Sequence, residues 1–131
     1  MYEPQRKPHT VLNYCCDRVA LNLRGWFLNE AGYRVLNSSN EDEAIKLFAR
    51  ERVDAAVLDM DNNRAAVTLL AQEIKRIRPQ VVTVVLTERT VPVDGVWELA
   101  DMLVAKENGT EALVKSLKKV LVLTGHSGAV A

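Results

Sequence analysis

The sequence AAVLD at residues 55–59 is an apolar run that ends on a single carboxylate, that of Asp59. Two later runs have the same form: VVTVVLT at residues 81–87 ends on Thr87, and MLVAK at residues 102–106 ends on Lys106. Short apolar runs of this kind are typical of strands buried on both faces of a parallel sheet. Because the carboxyl ends of such strands meet at one edge, we expect a carboxylate, a hydroxyl and an ammonium group to converge there.

Strands and helices alternate along the rest of the chain. The predicted strands are residues 10–15, 33–36, 53–58, 81–86 and 102–105. The predicted helices are residues 17–31, 40–51 and 64–78, a short one between 90 and 100, and a last one from Asn108 or Thr110 to about residue 121. Five strands alternating with about five helices predict an α/β fold, a doubly wound five-stranded parallel sheet. This is the flavodoxin-like (βα)5 arrangement, a three-layer sandwich.

Composition indicates one neutral domain. The chain has 131 residues, and 17 basic residues balance 17 acidic ones, so no overall charge favours nucleic acid or a membrane. We expect a flexible lead-in at residues 1–9, a domain at 10–122 and a flexible tail or linker stub at 123–131. The only two cysteines are adjacent, a poor arrangement for a disulfide, and the start of the chain has no long apolar segment. Both observations predict reduced thiols and a cytoplasmic location.

The order and spacing of these segments resemble the receiver domain of two-component response regulators. The resemblance runs from about Thr10 to Leu121, and includes EAGYRV at residues 30–35, VDAAVLD at 53–59, VVLT at 84–87 and the Lys106 segment. It implies that Asp59 is the phosphoacceptor, Thr87 the switch hydroxyl and Lys106 the phosphate-contacting lysine. It also implies Mg²⁺ as cofactor, no enzyme activity, and a protein partner such as a histidine kinase or a downstream effector. A homodimer is a further arrangement that the sequence leaves open.

Cys15 and Cys16 depart from this resemblance, because the family has two acidic residues at that place. Neutral thiols are poor Mg²⁺ ligands, so the metal half of the site is expected to be degraded. Asp17 and Asp61 are the candidates that could supplement Asp59 as metal ligands, and we expect the resulting site to be weak. The sequence therefore predicts an atypical receiver domain that signals through protein–protein contacts, with impaired Mg²⁺-dependent phosphorylation.

Two other readings remain at this stage. Cys15 and Cys16 could form a redox site, or a zinc site together with Asp59 and Asp61, on a receiver fold. The second alternative is a flavin-binding protein of the flavodoxin type. The segment CCDR at residues 15–18, however, lacks the Ser/Thr/Gly-rich character of a phosphate loop.

Overall fold

The computed structural model describes residues 8–60, 64–88 and 98–123. Its elements are, in order, β1 (Thr10–Tyr14), α1 (Arg18–Glu30), β2 (Arg34–Ser38), α2 (Glu41–Arg50), β3 (Ala55–Asp59), α3 (Arg64–Ile77), β4 (Val82–Thr87), β5 (Met102–Ala105) and α4 (Gly109–Leu123), with one 3-10 turn at Lys106–Asn108. The predicted bounds of these elements agree with the structure to within two residues at each end. Most of the predicted short helix between residues 90 and 100 lies outside the described residues. No helix in the described part of the chain has the length and hydrophobicity that a membrane crossing requires.

The five strands form one parallel sheet in the order β2-β1-β3-β4-β5. From β1 the next strand in sequence, β2, lies on one side, while β3, β4 and β5 follow on the other side. The sheet is therefore doubly wound, which confirms the predicted fold class. In the strand register, Asp59 lies opposite Leu86, and Thr87 lies opposite Ala105. The ends of β3, β4 and β5 therefore share one edge of the sheet, as the sequence predicts.

Alternate residues of each strand face two separate apolar layers. One layer packs the sheet against α2 and α3, and its largest members include Leu12, Phe48, Leu58 and Leu70. The other packs the sheet against α1 and α4, with Val11, Leu28, Val57 and Leu117 among its members. Asp59 has the parity of Val57, so its side chain belongs to the face that α1 and α4 cover.

Helix α1 begins at a well-formed cap and lies close to the sheet. The Asp17 carboxylate accepts hydrogen bonds from the backbone N–H groups of Val19 and Ala20, at 2.9 and 3.3 Å. At Gly25 a Cβ atom would lie only 2.7 Å from the Asn37 Oδ1 atom. That oxygen accepts from the Nδ2 group of the fully buried Asn13 at 2.9 Å, so it cannot move away without cost. A glycine here lets α1 approach β1 and β2, which also brings its neighbour Arg24 down to the sheet edge.

Most of the large apolar residues of α1 lie on its solvent-facing side. Its buried residues are Leu21, Gly25 and Leu28. The exposed apolar stripe, a name used below for this set, consists of Val19, Leu23, Trp26 and Phe27, which are 79, 58, 55 and 40% exposed. The 3.6-residue spacing of apolar residues thus identifies the helix correctly, but most of these residues do not face the core.

Candidate functional site

The Asp59 carboxylate lies at the carboxyl edge of the sheet and is held between two cations. Its Oδ1 atom is 2.7 Å from the Lys106 Nζ atom, and its Oδ2 atom is 3.0 Å from the Arg24 Nη2 atom. The Asp59 side chain is 3% exposed, that of Arg24 12% and that of Lys106 29%. Each carboxylate oxygen therefore has a cationic partner in a largely buried setting, where an unpaired carboxylate would be strongly destabilised.

Arg24 is the member of this site that the sequence prediction missed. It lies on α1, three residues after the buried Leu21 and four before the buried Leu28. Helical geometry places a residue with that spacing on the inward face. An arginine within an inward apolar stripe is the signal that could have identified it, because a buried guanidinium group requires an anionic partner.

Cys15 and Cys16 face different surroundings although they are adjacent. Cys15 is 2% exposed, and its thiol donates to the same Asp59 Oδ2 atom at a distance of 3.4 Å. Burial raises the pKa of this thiol, and the nearby Asp59 carboxylate adds to that effect, while a hydrogen bond from the Asp17 backbone N–H partly offsets it. Cys16 is exposed. Cys15 is therefore a neutral neighbour of Asp59 at neutral pH, and the two thiols are expected to differ in reactivity.

We expect iodoacetamide at mildly alkaline pH to alkylate Cys16 and to leave Cys15 unmodified in the folded protein. Cys15 is buried and its raised pKa keeps the nucleophilic thiolate scarce. Intact mass should show one adduct on the native protein and two in denaturant. The Cys16→Ser variant is the control, and should take up no reagent until it unfolds. Rapid alkylation of folded Cys16→Ser would show that Cys15 is accessible, and would restore the redox reading.

The remaining predicted site residues are placed as follows. Thr87 is buried at the end of β4, at the same sheet edge as Asp59. The Asp17 carboxylate caps α1 through its Oδ1 atom, as described above. Asp61 lies outside the described residues, so its predicted part in a metal site stays a prediction. Asp59, Thr87, Lys106 and Cys15 are thus at one edge.

The described residues at this edge do not fit a magnesium ion. Mg²⁺ prefers several hard oxygen ligands in octahedral geometry. Here Asp59 is a single carboxylate whose two oxygens already contact Arg24 and Lys106. Within residues 8–60, 64–88 and 98–123, no three His, Cys, Asp or Glu side chains are grouped closely enough to bind a metal, which disfavours zinc as well. The adjoining cavity of about 120 Å³ is lined by the same two cations, together with Leu86, Ala105, Gly109, Thr110 and Leu113. A cation would meet repulsion there, so the local charge suits an anion.

Comparison with protein-family models gave no match, and comparison with curated protein sequences gave none either. Solved structures do resemble the chain. The CheY-like response regulator receiver domain protein from Methanospirillum hungatei JF-1 matches with a TM-score of 0.81 at 20% identity, over 91% of this chain and 98% of that one. The response regulator protein TrrA from Thermotoga maritima, in complex with Mg²⁺-BeF, matches with a TM-score of 0.78 at 24% identity, over 86 and 99% of the two chains.

A third similar structure contains a kinase. It is the histidine kinase ThkA in complex with the response regulator protein TrrA, and it matches with a TM-score of 0.77 at 24% identity, over 86% of this chain and 98% of that one. At these identities the likeness establishes the fold. The chain has the fold of CheY-like response regulator receiver domains, as the sequence resemblance implied.

Proposed function

We propose that this chain, which has the fold of response regulator receiver domains, is an atypical receiver domain that works in two-component signal transduction through protein–protein contacts. One observation carries the proposal: Asp59, at the phosphoacceptor position, has both oxygens bound by Arg24 and Lys106. The two cations together neutralise the carboxylate. We therefore propose that the domain is a signalling module and not an enzyme, and that Mg²⁺-dependent phosphorylation of Asp59 is impaired.

The chemistry of phosphorylation explains why this arrangement opposes it. An Asp59 oxygen would have to attack the phosphorus atom of the donor, forming a new P–O bond while the bond to the leaving group breaks. Phosphoryl transfer depends mainly on positioning and on neutralising the negative charge of the phosphoryl oxygens. Lys106 is placed to neutralise part of that charge. However, the Asp59 oxygens are occupied, and the thiol of Cys15 stands where the family has an acidic metal ligand.

Acetyl phosphate with Mg²⁺ is expected to give little or no phosphoryl adduct on the wild-type protein, as measured by intact mass. Transfer would release acetate and add one phosphoryl group to Asp59, so Asp59→Asn is the matched control. A receiver domain that does take up the phosphoryl group in the same buffer shows that the reagent is active. A stable adduct on wild type that is missing from Asp59→Asn would overturn the impaired-phosphorylation part of the proposal.

The exposed apolar stripe of α1 supports a role in protein contacts. Val19, Leu23, Trp26 and Phe27 recur at helical spacing along one side of the helix, and all four are exposed. The Trp26 and Phe27 rings pack edge to face, with 5.0 Å between their centroids, and form an aromatic surface. A cavity of about 600 Å³ beside Phe27 extends this surface onto α4, where Thr110, Glu111, Val114 and Lys115 line it. Contiguous exposed apolar patches on small proteins commonly mark interaction sites.

The proposed partner is a histidine kinase or a downstream effector, met in the cytoplasm. The structure of TrrA with the kinase ThkA supports a kinase as the partner class. Sedimentation velocity over a range of concentrations would reveal a homodimer instead. The redox reading is disfavoured by the burial and the raised pKa of Cys15.

A further inference from the structure

We infer that Arg24 takes the place of a divalent cation at Asp59: its guanidinium group neutralises the carboxylate and keeps metal ions out. The inference rests on the proposed function only for the meaning of Asp59 as a phosphoacceptor position. Competition from Arg24 would then be a second reason for weak metal binding at Asp59, in addition to the loss of metal ligands. Metal independence would then be set by a residue on α1, outside the acidic pair that Cys15 and Cys16 would replace by the resemblance to receiver domains.

The contact that Arg24 makes is on the side of the carboxylate that faces Cys15. Its Nη2 atom bonds to Asp59 Oδ2, the oxygen that also accepts from the Cys15 thiol. Lys106 bonds to the other oxygen, Oδ1. By the resemblance to receiver domains, the position of Cys15 would carry an acidic metal ligand. The guanidinium therefore binds the Asp59 oxygen that faces the position where the resemblance implies a metal ligand.

The charge balance of the site explains the exclusion. Asp59 supplies one negative charge, and Arg24 and Lys106 supply two positive ones. A divalent cation would add two further positive charges in a buried, poorly screened place. It would compete with the guanidinium group at Oδ2, because two cations that share one carboxylate oxygen repel each other.

The Arg24 side chain is largely buried within the site. Only 12% of its side chain is exposed, and its Nη1 atom is buried without a hydrogen-bond partner among the described residues. Burying an unpaired donor costs free energy, so the ion pair with Asp59 has to offset that cost. The close approach of α1 at Gly25 holds the helix where Arg24 can reach the carboxylate.

Titration calorimetry with MgCl₂ and with MnCl₂ tests this inference on wild type, Cys15→Asp, Arg24→Met, the double variant Cys15→Asp/Arg24→Met and one control variant. We expect no binding by wild type and at most weak binding by Cys15→Asp, which gains a ligand but keeps the guanidinium. The double variant should bind at least about tenfold more tightly than Cys15→Asp, a difference of about 1.4 kcal/mol. Arg34→Met, which removes a surface arginine paired with Glu51, is the control and should change nothing.

Equal affinities of Cys15→Asp and the double variant would overturn the inference, because the guanidinium would then not compete with metal. A folded double variant that binds neither ion would overturn it as well. Far-ultraviolet circular dichroism checks folding, and Cys15→Asp/Arg24→Gln, which keeps a hydrogen-bond donor near Asp59, replaces the methionine variant if that one unfolds. The acetyl phosphate experiment is separate: a phosphoryl adduct on a wild-type protein that binds no Mg²⁺ would contradict the impaired-phosphorylation part of the proposed function and leave the role of Arg24 intact.

Discussion

Asp59→Asn is expected to lower the free energy of unfolding by about 3 kcal/mol, although it removes no apolar contact. The change leaves the positive charges of Arg24 and Lys106 beside a neutral amide. Only 12% of the Arg24 side chain is exposed. Removing one member of a buried ion pair is costly because the other charge stays buried without compensation. The partial exposure of Lys106 lets its ammonium group reach water, which keeps the expected loss at the low end of the usual range. Urea unfolding followed by circular dichroism measures it.

The sign of this effect separates the present site from a cluster of acidic residues. Where several carboxylates share one pocket they repel each other, so neutralising one relieves repulsion and stabilises the fold. Here the carboxylate is the only anionic partner described for Arg24, so neutralising it should destabilise. Asp42→Asn makes the same chemical change at an exposed position in the first turn of α2, and should cost less than about 1 kcal/mol.

A double variant adds a second measurement of the same pair. Asp59→Asn/Arg24→Met removes the carboxylate and the guanidinium together, so its loss should be smaller than the sum of the two single losses. Unchanged or increased stability of Asp59→Asn would mean that the two cations do not depend on the carboxylate. That outcome would contradict the ion-pair description of the site.

The convergence of Asp59, Thr87 and Lys106 could be predicted from the sequence because it depends only on strand order. Each residue directly follows or ends a short apolar run, and parallel strands bring such ends to one edge. The structure confirms that these strand ends share one edge, and the roles of the three residues stay predictions.

Arg24 could not be assigned in the same way, because its role depends on how α1 packs on the sheet. The contact with Asp59 joins residues 35 positions apart, and it requires the close approach that Gly25 allows. Nor does the adjacent pair Cys15-Cys16 reveal by itself which thiol faces the site. The packing after the end of β1 decides this, since Cys15 is buried with its thiol on Asp59 and Cys16 is exposed. Tertiary packing thus supplied the part of the site that changes its chemistry.

Two leucines of α1 are expected to respond very differently to replacement by alanine. Leu28→Ala should lower the free energy of unfolding by about 2–5 kcal/mol, because Leu28 is fully buried against Val11 and the α4 side of the core. Leu23→Ala should change it by less than about 0.5 kcal/mol, because that side chain is 58% exposed. Leucine and alanine are both good helix formers, so helix propensity affects the two variants alike. Urea unfolding of both variants at one low protein concentration provides the measurement.

The comparison of these two variants tests whether the exposed apolar stripe is covered by this chain, by a second copy of it, or by neither. A large loss in Leu23→Ala at low concentration would show that the stripe is covered by other parts of the chain, and so could not receive a partner. A loss that appears only at high protein concentration would instead indicate a second copy of the chain as the cover. If Leu23→Ala is neutral at all concentrations, the folded domain gains no stability from keeping Leu23 at the surface. That result would support the proposal that the stripe contacts another protein.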